Sequence, residues 1–312
     1  MLRARETKLL SQSQLARIID SPSLEDAASV LADCGYDRPS PLTSEALEHA
    51  LEKRREELFG ELAGLAPEPA VVDFFRLRYD YHNARVLLRL GGNAPDDMLS
   101  GAGRVAAARF RDCAARGEYS SLPAELARAF GAAVEILSRT GDAQLADMEL
   151  DRAWFSELEQ YARLAKSDFL AGYVRVFADC ANLRAAVRAV RMGKDPAFIS
   201  ETFVPGGELD LQRLVAAALG ERPFSEVLPA SLRDVGEIAG QAAAGGSLAA
   251  LDAACDRASD GYLASAGRVS FGVEPLISYI CAVESEIKTL RRAVSGRIAG
   301  LSAEQIRERL WQ

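Results

Sequence analysis

Few residues in this chain have the types and spacings that chemistry would need. The 312 residues include two histidines, His49 and His82, and five cysteines, Cys34, Cys113, Cys180, Cys255 and Cys281, none in a C-x-x-C pair. A transition-metal site needs a dense set of imidazole and thiolate ligands, and this inventory offers none; a carboxylate-only site stays open. The segment Gly101-Ala102-Gly103-Arg104-Val105-Ala106 fits G-x-G-x-x-A, the pattern that brings a helix N-terminus and bare backbone up to a pyrophosphate. The preceding PDDMLS does not read as a strand, and no acidic residue can be placed at a strand end ~20 residues on, so the segment is expected to be a flexible approach to a helix. There is no G-x-x-x-x-G-K-[ST] loop, which argues against nucleotide hydrolysis through a P-loop, and no G-x-S-x-G elbow. His82 is expected to be partly buried and hydrogen-bonded to a neighbour. No catalytic residue, metal ligand or cofactor is assigned.

What the chain does offer is a polar set that recurs. Arg76, Asp80 and Asn83 fall on one helical strip at steps of four and three, and 99 positions later Arg175, Asp179 and Asn182 repeat it. Arg85 and Arg89 are echoed by Arg184 and Arg188 at the same displacement. A fainter third copy, displaced by 203 from the first, puts Glu286 on Asn83, Val283 on Asp80, Lys288 on Arg85 and Arg292 on Arg89. Two readings stay open. Arg and Asp four apart can form an ordinary helix pair worth a few tenths of a kcal/mol, or the polar groups can bond between repeats and fix how these are arranged, since a buried polar group must be paired.

The elements that carry this set are helices by their own periodicity. Phe74, Leu77, Tyr81, Ala84 and Leu88 mark a buried stripe, and the same slots of the second copy hold Tyr173, Val176, Cys180, Leu183 and Val187. In the third copy the stripe is Leu276, Ile280, Val283, Ile287, Leu290 and Val294. Three copies at a period near 100 predict three units, residues 1–102, 103–202 and 203–312.

Within these units the chain reads as helices and turns throughout. Residues 5–19 form a first helix; Ser23 caps a second, with Asp26 at its third position. Thr43 or Ser44 caps a long charged segment to about Leu65, whose LEKRREELF face is expected to be solvated. The stretch from Gly236 to Gly267 is rich in Ala, Gly and Ser, which suits close helix packing or a mobile segment. Ser302 and Gln305 form a capping box for a last helix ending in Trp311. No period-2 strand pattern appears, so the fold is expected to be all-α.

Composition narrows the function classes. Hydrophobic residues make up 49% and charged residues 26%, ordinary for a folded globular chain. The net charge of −8 lacks the basic footprint of a nucleic-acid binder. MLRARETKLL has no apolar core of a secretory signal, and no run reaches the ~18 apolar residues of a membrane span. The scattered cysteines read as small core residues of a reducing compartment.

FFRLRYDYHNARVLL, FADCANLRAAVRAVRMGKD, TFVPGGELD and EPLISYICAVESEIKTLRRAVSGRIAGLSAEQIRERL together resemble the C subunit of V/A-type rotary ATPases, whose eukaryotic counterpart is the d subunit. The resemblance extends over essentially the whole chain, and the family's third copy also carries glutamate where the first two carry asparagine. It implies a funnel-shaped, all-helical protein of three similar subdomains about a pseudo-threefold axis, without an active site or cofactor. Such a protein sits on the cytoplasmic face of the membrane rotor ring and receives the end of the central axle, coupling ATP chemistry to proton or sodium transport. The competing class is a helical-repeat scaffold for a regulatory partner, whose usual periods are ~33 to 47 residues.

Overall fold

The computed structural model describes residues 9–310, and every regular element among them is helical. In chain order the α-helices are α1 (Gln12–Ile19), α2 (Leu24–Asp33), α3 (Ser44–Ala63), α4 (Pro69–Leu90), α5 (Ala107–Arg116), α6 (Ala124–Thr140), α7 (Ala143–Leu164) and α8 (Asp168–Arg191). There follow α9 (Pro196–Thr202), α10 (Leu211–Ala218), α11 (Phe224–Val227), α12 (Arg233–Ala243), α13 (Leu248–Ala264), α14 (Glu274–Ile298) and α15 (Ala303–Leu310).

Local chemistry sets the helix ends. Ser23 caps α2 by accepting from the Asp26 amide, Thr43 caps α3 by accepting from Ala46, and Ser302 exchanges both capping-box bonds with Gln305. Gly91 ends α4 at φ 65°, a conformation that costs glycine least. The first helix starts later than its charge pattern suggests. Ser11 and Gln14 form a reciprocal capping box that starts α1 at Gln12, leaving Leu9 and Leu10 outside the helix. The earlier part of that expected helix, residues 5–8, and the terminal Trp311 lie outside the described residues.

The helices α4, α8 and α14 carry the repeated pattern and form the middle of the molecule. Each buries far more than one stripe: α4 buries Val71, Val72 and Tyr79 as well as Phe74, Leu77, Tyr81, Ala84 and Leu88, as a helix packed on several sides must. In the second copy Cys180, Leu183 and Val187 are buried, while Tyr173 and Val176 are only partly so. The first two marker helices pack on helices that follow them: α4 against α5, α6 and α7, and α8 against α9, α10, α12 and α13. The third packs on α1, α2 and α3 at the start of the chain.

The charged face of α3 is not simply solvated. Arg55 is buried and lies between Glu52 of its own helix and Glu284 of α14, at 2.9 and 3.3 Å, with its guanidinium over the Tyr79 ring. The signal was its spacing, since Leu47, Leu51, Arg55, Leu58 and Leu62 run at steps of four and three and all are buried. The Ala/Gly/Ser-rich stretch is helical in α12 and α13, and at Gly236 it packs tightly. A Cβ there would meet the Ser225 Cα and N at 2.6 and 2.7 Å.

That contact is with backbone, which cannot swing aside. Gly236→Ala should therefore lower unfolding free energy by ~1 to 3 kcal/mol. Gly240→Ala, whose Cβ would meet nothing within 4 Å, should raise it by ~0.5 to 1 kcal/mol. Denaturant unfolding of both variants checks the contrast.

Candidate functional site: clamps on the marker helices and the cavity between them

The repeated polar residues grip the chain just after the helix that bears them. Asn83 is fully buried and bonds Ser100 twice, its Nδ2 donating to the carbonyl and its Oδ1 accepting from the amide, both at 2.8 Å. Asn182 does the same to Val204, at 3.0 and 2.8 Å. Asp80 Oδ1 accepts from the Val105 amide at 3.1 Å and Asp179 Oδ1 from the Leu209 amide at 2.8 Å. The clamped residues keep one register: 100 to 204 and 105 to 209 are the same step. Gly103 and Gly207 keep it too. At both, a Cβ would collide with the aspartate Oδ1, so the glycine that resembled half of a nucleotide fingerprint makes room for a carboxylate.

The strip does not form the helix pairs its spacing allows. Arg76 donates to the carbonyls of Ala102 and Gly103 instead of reaching Asp80, and Arg175 pairs with Glu208 at 3.0 Å instead of Asp179. Both arginines follow the connecting segment because the aspartates are already taken by its amides.

The two clamps differ in charge. Asp80 also accepts from Arg104 Nε at 2.6 Å, and Arg104 reaches Glu157 at 3.2 Å and the Tyr161 hydroxyl at 2.8 Å. Glu157, buried on α7, accepts from the Tyr81 hydroxyl at 2.8 Å. In the second copy the place of Arg104 is held by Glu208. Burial pushes both aspartate carboxyls above the ordinary carboxylate value; at Asp80 Arg104 works hardest against this, at Asp179 the Leu209 and Glu208 amides do.

Farther along each helix the arginines clasp paired aspartates. Arg85 and Arg89 meet Asp151 and Asp147 of α7, and Arg85 also lies over the Trp154 ring. Arg184 meets Asp256 and Asp252 of α13, and Arg188 meets Asp252. These acidic pairs recur in step at four-residue spacing, a signal the sequence held. His82 is exposed, not partly buried, with its Nε2 at 3.0 Å from the Met98 carbonyl.

The third copy holds the other end of the chain. Glu286 accepts from the Leu10 amide at 2.5 Å and from the Tyr36 hydroxyl; burial, with Glu286 second, pushes that phenol far up. Lys288 departs from the pattern and reaches back to Asp260 of α13 at 3.5 Å, while Arg291 makes the forward contact, to Glu48 of α3 at 2.6 Å.

The marker helices also frame a cavity of about 590 Å³. Among the lining residues, Phe74 and Arg78 come from α4, Tyr173 and Phe177 from α8, and Ser278 and Cys281 from α14. Arg78, Phe177 and Cys281 are the same position of the three copies. Tyr173 stacks on Phe177 at 5.5 Å and meets Phe74 edge-on at 6.1 Å. Burial, with Glu284 and Asp260 behind it, pushes the Cys281 thiol up to about 12, which makes a poor nucleophile. No helix among the described residues is long and apolar enough to cross a membrane.

Comparison with known proteins agrees over the same length. The profile of the family described as ATP synthase (C/AC39) subunit matches residues 1–309. The C subunit of the V-type sodium ATPase of Enterococcus hirae is 24% identical over all of this chain and 96% of its own. The C subunit of the A-type ATP synthase of Methanocaldococcus jannaschii is 25% identical over 99% of this chain and 84% of its own.

The geometry separates the two clamps experimentally. Asn83→Ala leaves the Ser100 amide and carbonyl buried without partners and should cost about 2 to 4 kcal/mol in denaturant unfolding. Asp80→Asn strips Arg104 of its nearest charge and should cost about 3 kcal/mol, whereas Asp179→Asn should be near neutral at pH 7. Because the folded-state pKa of Asp179 is raised, its contribution is fully present below the unfolded-state pKa and lost as pH rises through the folded one. Asp179→Asn should flatten that part of the stability profile, measured by melting across acidic to neutral pH.

Proposed function

The chain belongs to the ATP synthase (C/AC39) subunit family, a component of V/A-type rotary ATPases, and from that premise we propose that it is the socket coupling the central axle to the membrane rotor ring. In this reading it sits peripherally on the cytoplasmic face, and nucleotide chemistry and ion binding belong to other subunits. The observation that carries it is the cavity: three marker helices bring the same position, Arg78, Phe177 and Cys281, to one lined space.

The contacts support a closed arrangement of three units, residues 1–102, 103–202 and 203–312, in a funnel about a pseudo-threefold axis. The marker helix of the first unit clamps the start of the second, and that of the second clamps the start of the third. Glu286 of the third reaches Leu10 in the first. The repeated residues Arg76, Asp80, Asn83, Arg85, Arg175, Asp179, Asn182, Arg184, Glu286 and Lys288 would then serve rigidity. A torque-bearing coupler needs stiff joints and two faces for partners, one toward the axle subunits and one toward the ring.

Reconstitution with the purified axle subunits and rotor ring of the same complex tests this. Electron microscopy should show the axle end within the cavity. Ser285→Trp, which fills the cavity from an exposed position on α14, should weaken axle binding at least about tenfold, ~1.4 kcal/mol, with melting unchanged. An axle bound elsewhere, or bound equally by that variant, overturns the reading.

A further inference from the structure

Among the cavity charges, one cation has no carboxylate partner among the described residues. Glu284 accepts from Arg55 and from the Tyr79 hydroxyl, Asp256 holds Arg184 at 2.5 Å, and Asp260 holds Lys288 at 3.5 Å. Arg78 makes no hydrogen bond or ion pair among the described residues; its guanidinium lies 5.2 Å from the centre of the Tyr79 ring and is influenced by the nearby Glu284 charge. It is exposed into a cavity whose walls carry Phe74, Phe75, Tyr173 and Phe177. A guanidinium that meets a carboxylate can make two parallel charge-assisted bonds, and with water displaced by aromatic walls such a pair gains strength. The other two equivalent positions are Phe177 and Cys281, which carry no positive charge.

We infer that Arg78 is the anchoring residue of this cavity: it receives a carboxylate presented by an apolar end of the axle, and as the one cation among three equivalent positions it fixes the angle at which the axle seats. The inference rests on the socket reading. A socket with three similar walls would otherwise accept a rotated axle in any of three registers. A lone unpaired cation among the three equivalent positions removes that ambiguity, since in the two wrong registers the axle carboxylate would face Phe177 or Cys281, and the remaining cation of the cavity, Lys288, is already held by Asp260.

The test is calorimetric binding of the full chain to the purified axle subunits of its complex, at two salt concentrations. Arg78→Gln, which keeps length and polarity, should weaken binding at least about 30-fold, the effect of truncating one partner of a buried charge pair, and should reduce the salt dependence. Its melting temperature should stay close to that of the unaltered chain, because Arg78 makes no hydrogen bond or ion pair within the fold and its contact with the Tyr79 ring is a weak one. The double variant Arg78→Phe with Phe177→Arg moves the charge to the second wall without changing composition. It should fail to restore affinity, or should restore it with the axle turned by about a third of a turn in electron micrographs. Binding by Arg78→Gln within about twofold of the unaltered chain overturns the anchor and leaves the socket standing. Full recovery by the double variant with the axle unrotated overturns the angular role. Absence of axle binding by the unaltered chain overturns both.

Discussion

A backbone amide or carbonyl taken out of water must find a partner, and this protein meets that demand at its joints with side chains from its most buried helices. The segments around Ser100–Val105 and Val204–Leu209 have no helix or sheet of their own to satisfy them. Asn83 and Asp80 in one case, Asn182 and Asp179 in the other, supply both donors and acceptors from inside the core. An asparagine matches one residue's amide and carbonyl together, and an aspartate accepts from the amide five residues farther on. The spacing of three between them on the helix is thus the spacing of two docking points on an extended strand of chain. Gly103 and Gly207 follow from the same constraint, since any side chain there would occupy the carboxylate's place.

Much of this was legible in the sequence, and the limits are instructive. The three long helices, the caps at Ser23, Thr43 and Ser302, and the recurring polar set all follow from local periodicity and side-chain chemistry. What each polar residue touches did not follow. Arg76 and Asp80 at four-residue spacing suggest a pair, but both are captured by a segment 20 or more residues away, which no helical wheel displays. The charged face of α3 misled for a similar reason. Its composition argued for solvent, while the position of Arg55 on the leucine stripe argued for burial, and Glu284, 229 residues downstream on α14, decided the matter. The clasped aspartates of α7 and α13 repeat as faithfully as the arginines that meet them; a search for repetition centred on one helix passes over them.

The copies have also diverged in an ordered way. In the first joint Arg104 lies between the carboxylates of Asp80 and Glu157, the second is acidic and relies on amides, and the third exchanges asparagine for glutamate and gains Tyr36. Burying a carboxylate costs least where a guanidinium or several N–H groups face it, and each copy has met that cost differently. The cavity walls vary likewise, arginine, phenylalanine and thiol at one shared position, so similar helices present unlike surfaces.

The hold of Glu286 on Leu10 has a further mechanical meaning. The junction between the last marker helix and the first three helices depends on side chains: Glu286 and the Arg55–Glu284 and Arg291–Glu48 pairs, with Arg307 of α15 on Asp20 at 2.6 Å beside them. Helices far apart in sequence are thus fastened to one another without a peptide link, which leaves a seam. Under any load that seam would part more readily than a junction tied by backbone, and the ionic fastenings along it reinforce it.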